Sequence, residues 1–242
     1  MSDLHIAIIN EATLDDVSAQ IDAMLPAFAT QWNTDLAPVW GLRRAKFELV
    51  PQGHMPRAGA WWVVFLDDSD QAQALAYHDL TNEGLPISKV FARTVAEAGA
   101  SLSVAATHEI CEMAVDPWLN TAYQDRHGTF WAGEVCDPVE ADRYGYDIGG
   151  VLVSDFVTPN WFAQKNWQRD IDFKEHATER FEVLAGGYAQ RWDPAAGWQQ
   201  VTGSSAELDL LALNPSRGSR RERRARLGKG PWFRSGRHFH AR

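Results

Sequence analysis

Residues 105–117, with the sequence AATHEICEMAVDP, are the stretch that decides the fold of this chain. If the stretch is helical, residues four apart share one face, so His108 and Glu112 can bind the same ion. Glu109 then projects about 100° round the helix, beside the ion rather than onto it. In this arrangement two side chains bind the metal ion, and the neighbouring carboxylate can act as a general base on a metal-bound water.

The residues around this pair predict a buried helix. Apolar side chains lie on both of its sides: Leu102, Val104, Ala105, Ala106, Ile110, Met113 and Val115. A helix that is apolar nearly all round is buried, and buried carboxylates require a partner or a metal. We expect Ser101 to be the N-cap and Asp116, before Pro117, to end the helix. The alternative is a half-buried helix with surface carboxylates.

The composition indicates a globular protein without a membrane span or a disulfide framework. The chain has 242 residues, 45% of them hydrophobic, and 11 tryptophans, enough for a substantial core. No apolar run approaches the roughly 20 residues of a membrane span, and the first ten residues lack the pattern of a signal peptide. Two cysteines, Cys111 and Cys136, do not make a disulfide framework, and we expect both to be small buried groups. The expected location is the cytoplasm, or a virion if the chain is phage-encoded.

Hydrophobic periodicity gives the order of the elements. Strands are predicted at residues 5–10, 45–50 and 61–66, with a helix from 14 to about 40 that Pro26 and Pro38 kink or break. Another extended piece begins at residue 76. Pro86 lies in the strand-like run 85–91, which indicates a sheet edge. Residues 118–166 are rich in loop residues, and 187–201 predict a hairpin containing Trp192 and Trp198.

This order, ending in the His-Glu helix, resembles the metal-binding half of the zincin metallopeptidases. The motif His108-Glu109-x-x-Glu112, the following Asp116-Pro117 and the later GEVCD at 133–137 are similar to a zincin-like group of bacterial and phage proteins. The plant Exordium-like proteins are more distantly similar. The likeness covers about residues 78–162. It implies an α+β fold with a mixed sheet, a long N-terminal helix and a buried metal helix next to an edge strand that receives an extended substrate.

The resemblance also implies one catalytic zinc ion, held by three protein ligands and a water. His108 and Glu112 are two of these ligands, with Glu112 in place of the usual second histidine. Glu134 is expected to be the third. Asp137 is the alternative, either as a ligand or as a partner that orients His108. Asp116 can also reach the site, but we expect it to cap the turn before Pro117.

The function implied is that of a zinc-dependent peptidase with Glu109 as general base. A peptide or protein substrate would add a strand along 85–91, in contact with Leu85, Ile87 and Lys89. Tyr144 and Tyr146 are candidates to stabilise the oxyanion, and packed aromatic rings are the simpler interpretation of both. Because two carboxylates offset the charge of the ion, its water should be less acidic, which favours slow hydrolysis or a structural ion. The alternative is a non-enzymatic phage or virion structural protein that keeps the scaffold and its metal.

Charge separates the C-terminal arm from the rest. Residues 217–242 hold ten Arg and Lys against one acid, whereas 1–216 hold 13 basic and 31 acidic residues, a net charge of −18. We expect a zincin-like domain at 1–185, a Trp-containing hairpin extension at 186–216 and a basic arm at 217–242. The arm can support self-assembly or bind an acidic partner. If the protein binds nucleic acid, we expect it to do so only through this arm. The alternative is a solvated tail without a function.

Overall fold

A computed structural model describes residues 3–51, 53–71, 74–163, 170–194 and 197–203. The first half contains five strands: β1 (Leu4–Asn10), β2 (Ala45–Val50), β3 (Trp61–Leu66), β4 (Ala76–Leu80) and β5 (Pro86–Phe91). They form one sheet in the order β2-β1-β3-β5-β4. The first four in that order are parallel, and β4 runs antiparallel to β5. The chain is therefore mixed α and β, with a mixed sheet.

Helical residues follow β1 in three consecutive segments: α1 (Val17–Thr30), a π-helical stretch (Gln31–Leu36) and α2 (Ala37–Trp40). They occupy the range for which one helix was predicted. Residues three or four apart on α1 are buried, among them Ile21, Met24 and Phe28. The helical run ends at Gly41, whose φ of 67° is the left-handed conformation that glycine adopts readily.

The central strands are the apolar ones. Ile6 and Ile8 of β1, with Val63 and Phe65 of β3, are fully buried. A continuous apolar run, such as that of β3, is typical of a parallel strand that is covered on both faces. Two further helices follow β5: α3 (Ala92–Glu97) and α4 (Leu102–Val115), and α4 packs on β4 and β5.

The prediction that residues 85–91 form the sheet edge is wrong. β5 lies between β3 and β4, so neither of its edges is open to an added strand. Pro86 is the first residue of β5, a position that tolerates proline inside a sheet as well as at its edge. Within the described residues β4 pairs with β5 alone, and it is β4 that forms this edge.

The same correction applies to the predicted substrate contacts on β5. Ser88 faces α4, since its hydroxyl contacts the carbonyl oxygen of Glu109 at 3.3 Å. Because side chains alternate along a strand, Ile87 and Lys89 face the other side of the sheet, where Lys89 Nζ contacts Tyr77 Oη at 2.8 Å. Leu85 closes the turn between β4 and β5, and its carbonyl accepts a hydrogen bond from Thr81 N at 2.7 Å. None of the three lines a free strand edge.

The second half contains shorter strands: β6 (Ala122–Gln124), β7 (Phe130–Ala132), β8 (Tyr146–Ile148), β9 (Val151–Val153), β10 (Tyr188–Asp193) and β11 (Gly197–Thr202). β8 and β9 pair with each other, and the other four form a sheet in the order β11-β10-β7-β6. The predicted hairpin is thus present as β10 and β11, with Trp192 opposite Trp198. It continues the sheet of β6 and β7 through the pairing of β10 with β7.

The basic arm predicted at 217–242 lies outside the described residues, as does most of the segment 203–216 that precedes it. No helix within the described residues combines the length and the apolar character that a membrane span requires.

Candidate metal centre

Helix α4 carries the motif as predicted. It begins after Ser101, whose hydroxyl accepts a hydrogen bond from Val104 N at 3.4 Å, and its C-cap is Asp116. Ile110 and Met113 are buried on one side of the helix. His108 is 6% exposed, Glu109 2% and Glu112 0%, so the alternative of a half-buried helix with surface carboxylates is wrong.

Two other parts of the chain bring ionisable side chains to this helix. His78 comes from the edge strand β4, and Glu134 and Asp137 come from the loop after β7. All three are buried. Together with the α4 residues they form what is here called the α4 cluster: His78, His108, Glu109, Glu112, Glu134 and Asp137. The cluster therefore joins the edge of the first sheet, the buried helix and a loop of the second half.

His108 lies between two carboxylates. Its Nε2 is 3.3 Å from Glu112 Oε1 and 3.2 Å from Asp137 Oδ1. Glu112 Oε1 also accepts hydrogen bonds from the backbone N–H groups of Cys136 and Asp137, both at 3.3 Å. Asp137, predicted as the alternative ligand, is thus in direct contact with His108, and the loop that carries it fixes the orientation of Glu112.

His78 occupies the other side of the cluster. Its Nδ1 lies 3.2 Å from Glu109 Oε2 and 3.7 Å from Glu112 Oε2, and its Nε2 lies 3.9 Å from Glu134 Oε2. One nitrogen of His78 and one oxygen each of Glu112 and Glu134 all lie within 4.8 Å of one another. In the same way, one donor atom each of His108, Glu109 and Glu112 lies within 4.8 Å of the other two. Glu134, predicted as the third ligand, therefore groups with Glu112 and with a histidine that the sequence analysis missed.

The donor set suits a metal ion. Imidazole nitrogens and carboxylate oxygens bind zinc at 2.0–2.2 Å, so two ligands of a tetrahedral ion lie about 3.4 Å apart. The contacts between histidine and carboxylate in the α4 cluster range from 3.2 to 3.9 Å. The same donors also bind other divalent transition metals, so the geometry fits an ion without identifying zinc.

The electrostatics of the cluster reflect an excess of buried acid. Burial lowers the pKa of His108, but the hydrogen bond to Asp137 and the surrounding negative charges outweigh it and raise the pKa to about 10. Burial raises the pKa of Asp137, against the effect of its hydrogen bond with His108. Burial also raises the pKa of the nearby Glu140 to about 8. Concentrated acid of this kind attracts protons or cations.

The two tyrosines proposed for the oxyanion have other partners. Tyr146 Oη donates to Asp35 Oδ2 at 2.8 Å, beside the π-helical stretch. Tyr144 Oη donates to the carbonyl of Ala185 at 3.2 Å. Both hydroxyls are thus directed at groups outside the α4 cluster, as expected of packed aromatics. The tyrosine beside the cluster is Tyr188 of β10, whose pKa is raised by burial and by the charges of Asp137 and Glu140.

The remaining candidates have structural roles. Asp116 Oδ1 accepts hydrogen bonds from the N–H groups of Asn120 and Thr121 at 2.8 and 2.9 Å, so it caps the loop after Pro117. The exposed histidine His127, which was not among the candidates, lies in the turn between β6 and β7. Cys111 and Cys136 are free and buried, as predicted.

His78 and Tyr188 had only weak signals in the sequence. His78 alternates with the buried Tyr77 in a short extended run, which places the two on opposite faces of a strand. The run does not reveal that one of those faces meets α4. Tyr188 lies in a hairpin whose contacts depend on the pairing of β10 with β7.

No protein-family model, curated protein or solved structure matches this chain.

Proposed function

We propose that this chain is a zincin-like, metal-dependent peptidase. One observation carries the proposal: His108, Glu109 and Glu112 of a single buried helix meet two further carboxylates, Glu134 and Asp137, and all five are buried. His108 and Glu112 would hold the ion together with a carboxylate from residues 134–137. Zinc in such a site lowers the pKa of a bound water.

Other residues of the cluster would act on the water or orient the ligands. Glu109 would accept the proton of that water, because one of its oxygens lies within 4.8 Å of donor atoms of both His108 and Glu112. The contact of its Oε2 with His78 Nδ1, at 3.2 Å, holds the carboxylate in place. Glu112 is oriented by the backbone N–H groups of Cys136 and Asp137.

The edge strand β4 supports a peptide as the substrate. Two backbone hydrogen bonds lie at the ends of the paired strands β4 and β5. Thr81 N donates to the carbonyl of Leu85, and Phe91 N donates to the carbonyl of Leu75. Since main-chain direction alternates in an antiparallel pair, the main-chain groups of His78 then point away from β5, towards the side of β4 where no described strand pairs. An extended peptide that adds to β4 would run past His78, whose side chain lies in the α4 cluster. We therefore propose that β4, rather than residues 85–91, is the edge strand that receives the substrate.

Substituting the general base tests the proposal. Glu109→Gln should keep the fold and the metal but lose activity by about 100-fold or more, because general-base catalysis contributes effects of that order. The assay uses zinc-loaded full-length protein and a broad peptide library, with metal content and circular dichroism measured in parallel. Glu97→Gln, on an exposed position of α3, is the matched control and should retain full activity.

Two outcomes contradict the peptidase. One is equal activity of Glu109→Gln and wild type. The other is metal-loaded wild type that cleaves nothing in the library, which would favour the non-enzymatic particle component with a structural ion.

A further inference from the structure

Glu112 lies between two histidines, and each of its oxygens has a different one as its neighbour. Oε1 is 3.3 Å from His108 Nε2, and Oε2 is 3.7 Å from His78 Nδ1. A single ion bound by His108 and Glu112 uses one of these oxygens and leaves the other directed at His78. A carboxylate whose two oxygens are directed at two imidazoles has the geometry of a bridging ligand.

Each side of this bridge also has a carboxylate of its own. Asp137 Oδ1 is 3.2 Å from His108 Nε2, and Glu134 Oε2 is 3.9 Å from His78 Nε2. The cluster is therefore symmetrical in composition about Glu112, with one histidine, one oxygen of Glu112 and one loop carboxylate on each side. The geometry of the two sides differs, because Glu112 and Asp137 approach the same nitrogen of His108, whereas Glu112 and Glu134 approach different nitrogens of His78. Glu109 lies close to both sides, since it contacts His78 Nδ1 and also belongs to the close group with His108.

The formal charge of the cluster agrees with this symmetry. Its four carboxylates, from Glu109, Glu112, Glu134 and Asp137, are buried and carry a charge of −4 when ionised. Buried charges of one sign are costly unless opposite charges accompany them. With neutral imidazoles as ligands, one divalent ion offsets half of that charge and two offset all of it.

We propose that the α4 cluster is a binuclear centre that binds two divalent cations bridged by Glu112. One ion would be held by His108 and Glu112, with Asp137 as the loop carboxylate that contacts His108. The other would be held by His78, Glu112 and Glu134, which have donor atoms within 4.8 Å of one another. Ions in such two-metal sites lie about 3.5–4 Å apart. The mixed imidazole and carboxylate donors suit Zn²⁺ or Mn²⁺. The inference shares its metal site with the proposed function, but the number of ions can be measured without any substrate.

Stoichiometry is the first test. Full-length protein is stripped with a chelator, dialysed against Zn²⁺ and analysed for metal per chain. Wild type should hold two ions, and His78→Ala and His108→Ala should each hold one. His127→Ala, in an exposed loop, is the matched control and should hold two. His176→Ala should also hold two, although His176 groups with Asp155 and Asp172 elsewhere in the chain.

A second measurement needs no variant, so a substitution that fails to fold does not weaken the test. Wild type loaded with Mn²⁺ should give the electron paramagnetic resonance spectrum of a spin-coupled pair at full occupancy. At saturation, the signal of one isolated Mn²⁺ per chain would overturn the binuclear centre. So would a Zn²⁺ content of one or none in wild type, two ions retained in His78→Ala, or loss of the second ion in His176→Ala.

These results separate the two proposals. One ion with peptidase activity that depends on Glu109 would overturn the binuclear centre and leave the proposed function standing. Two ions without peptidase activity would do the reverse.

Discussion

Among the described residues, two clusters combine buried carboxylates with histidine, and they are built differently. In the α4 cluster, most of the close contacts run between side chains that belong to three separate elements. In the second cluster, Asp155, Asp172 and His176, the two buried carboxylates accept hydrogen bonds from backbone N–H groups one to five residues away in the chain. The backbone donors to Glu112 in the α4 cluster are instead 24 and 25 residues away. Asp172 accepts from His176 N at 2.9 Å and Ala177 N at 2.8 Å, and Asp155 accepts from Phe156 N at 2.8 Å.

The difference shows that residue types alone do not define a metal site. Both clusters bring a histidine and carboxylates within 4.8 Å, as a metal requires. In the second cluster the carboxylates already serve a local turn, and the His176 side chain is 34% exposed. We therefore expect the second cluster to stabilise the 172–177 turn and the α4 cluster to be the one that binds a metal.

The largest expected effect is the loss of bound zinc when the α4 cluster, and not the second cluster, is altered. His108→Ala combined with Glu112→Ala removes one histidine and the shared carboxylate, so bound zinc should fall to none. Because metal binding contributes to folding free energy, chelation should lower the melting temperature of wild type but not that of the double variant. Metal analysis and calorimetry measure both effects. Zinc retained in the double variant would remove the α4 cluster as the metal site.

The second expected effect concerns the turn. Asp172→Ala leaves two backbone donors without their acceptor, which should cost on the order of 2–3 kcal/mol of unfolding free energy. Urea denaturation measures the loss, and the zinc content should stay at the wild-type value. A variant as stable as wild type, or one with less zinc, would contradict the structural role of this cluster.

The smallest expected effect is a change in how stability depends on pH. Burial, together with the hydrogen bond and charge of Asp172, raises the pKa of Asp155 from 3.8 to about 9. Between these values the folded state holds a proton that the unfolded chain has released, so this group's contribution to stability falls as pH rises from about 4 to about 9. Asp155→Asn, which is always neutral, should flatten that fall. Parallel slopes for variant and wild type in denaturant melts from pH 5 to 9 would contradict the protonated state.

Much of this structure follows from local sequence. Ser101 and Pro117 mark the limits of α4 because capping and the steric restriction before proline act over a few residues. The apolar run of β3 and the hairpin of β10 and β11 are equally local features. The motif itself predicted that His108, Glu109 and Glu112 would lie together.

The errors concern the order of strands, which depends on contacts between distant parts of the chain. Pro86 is compatible with an edge strand and with the first residue of an inner one, and only the pairing of β4 with β5 decides between them. His78 was missed for the same reason, since its role depends on where β4 lies. The choice between Glu134 and Asp137 depends on the path of a loop, which periodicity does not describe.

The position of His78 on β4 has a consequence for folding. An edge strand is held by one neighbour only, so it is the part of a sheet that frays first. An ion bound by His78, Glu112 and Glu134 would act as a cross-link between the sheet edge, helix α4 and the second half of the chain. Unlike a disulfide, such a link is absent from the unfolded chain, and it stabilises the protein because the ion binds only where the three elements are folded together. Amide hydrogen exchange in β4 should therefore slow on metal binding more than exchange in β1, which is paired on both sides.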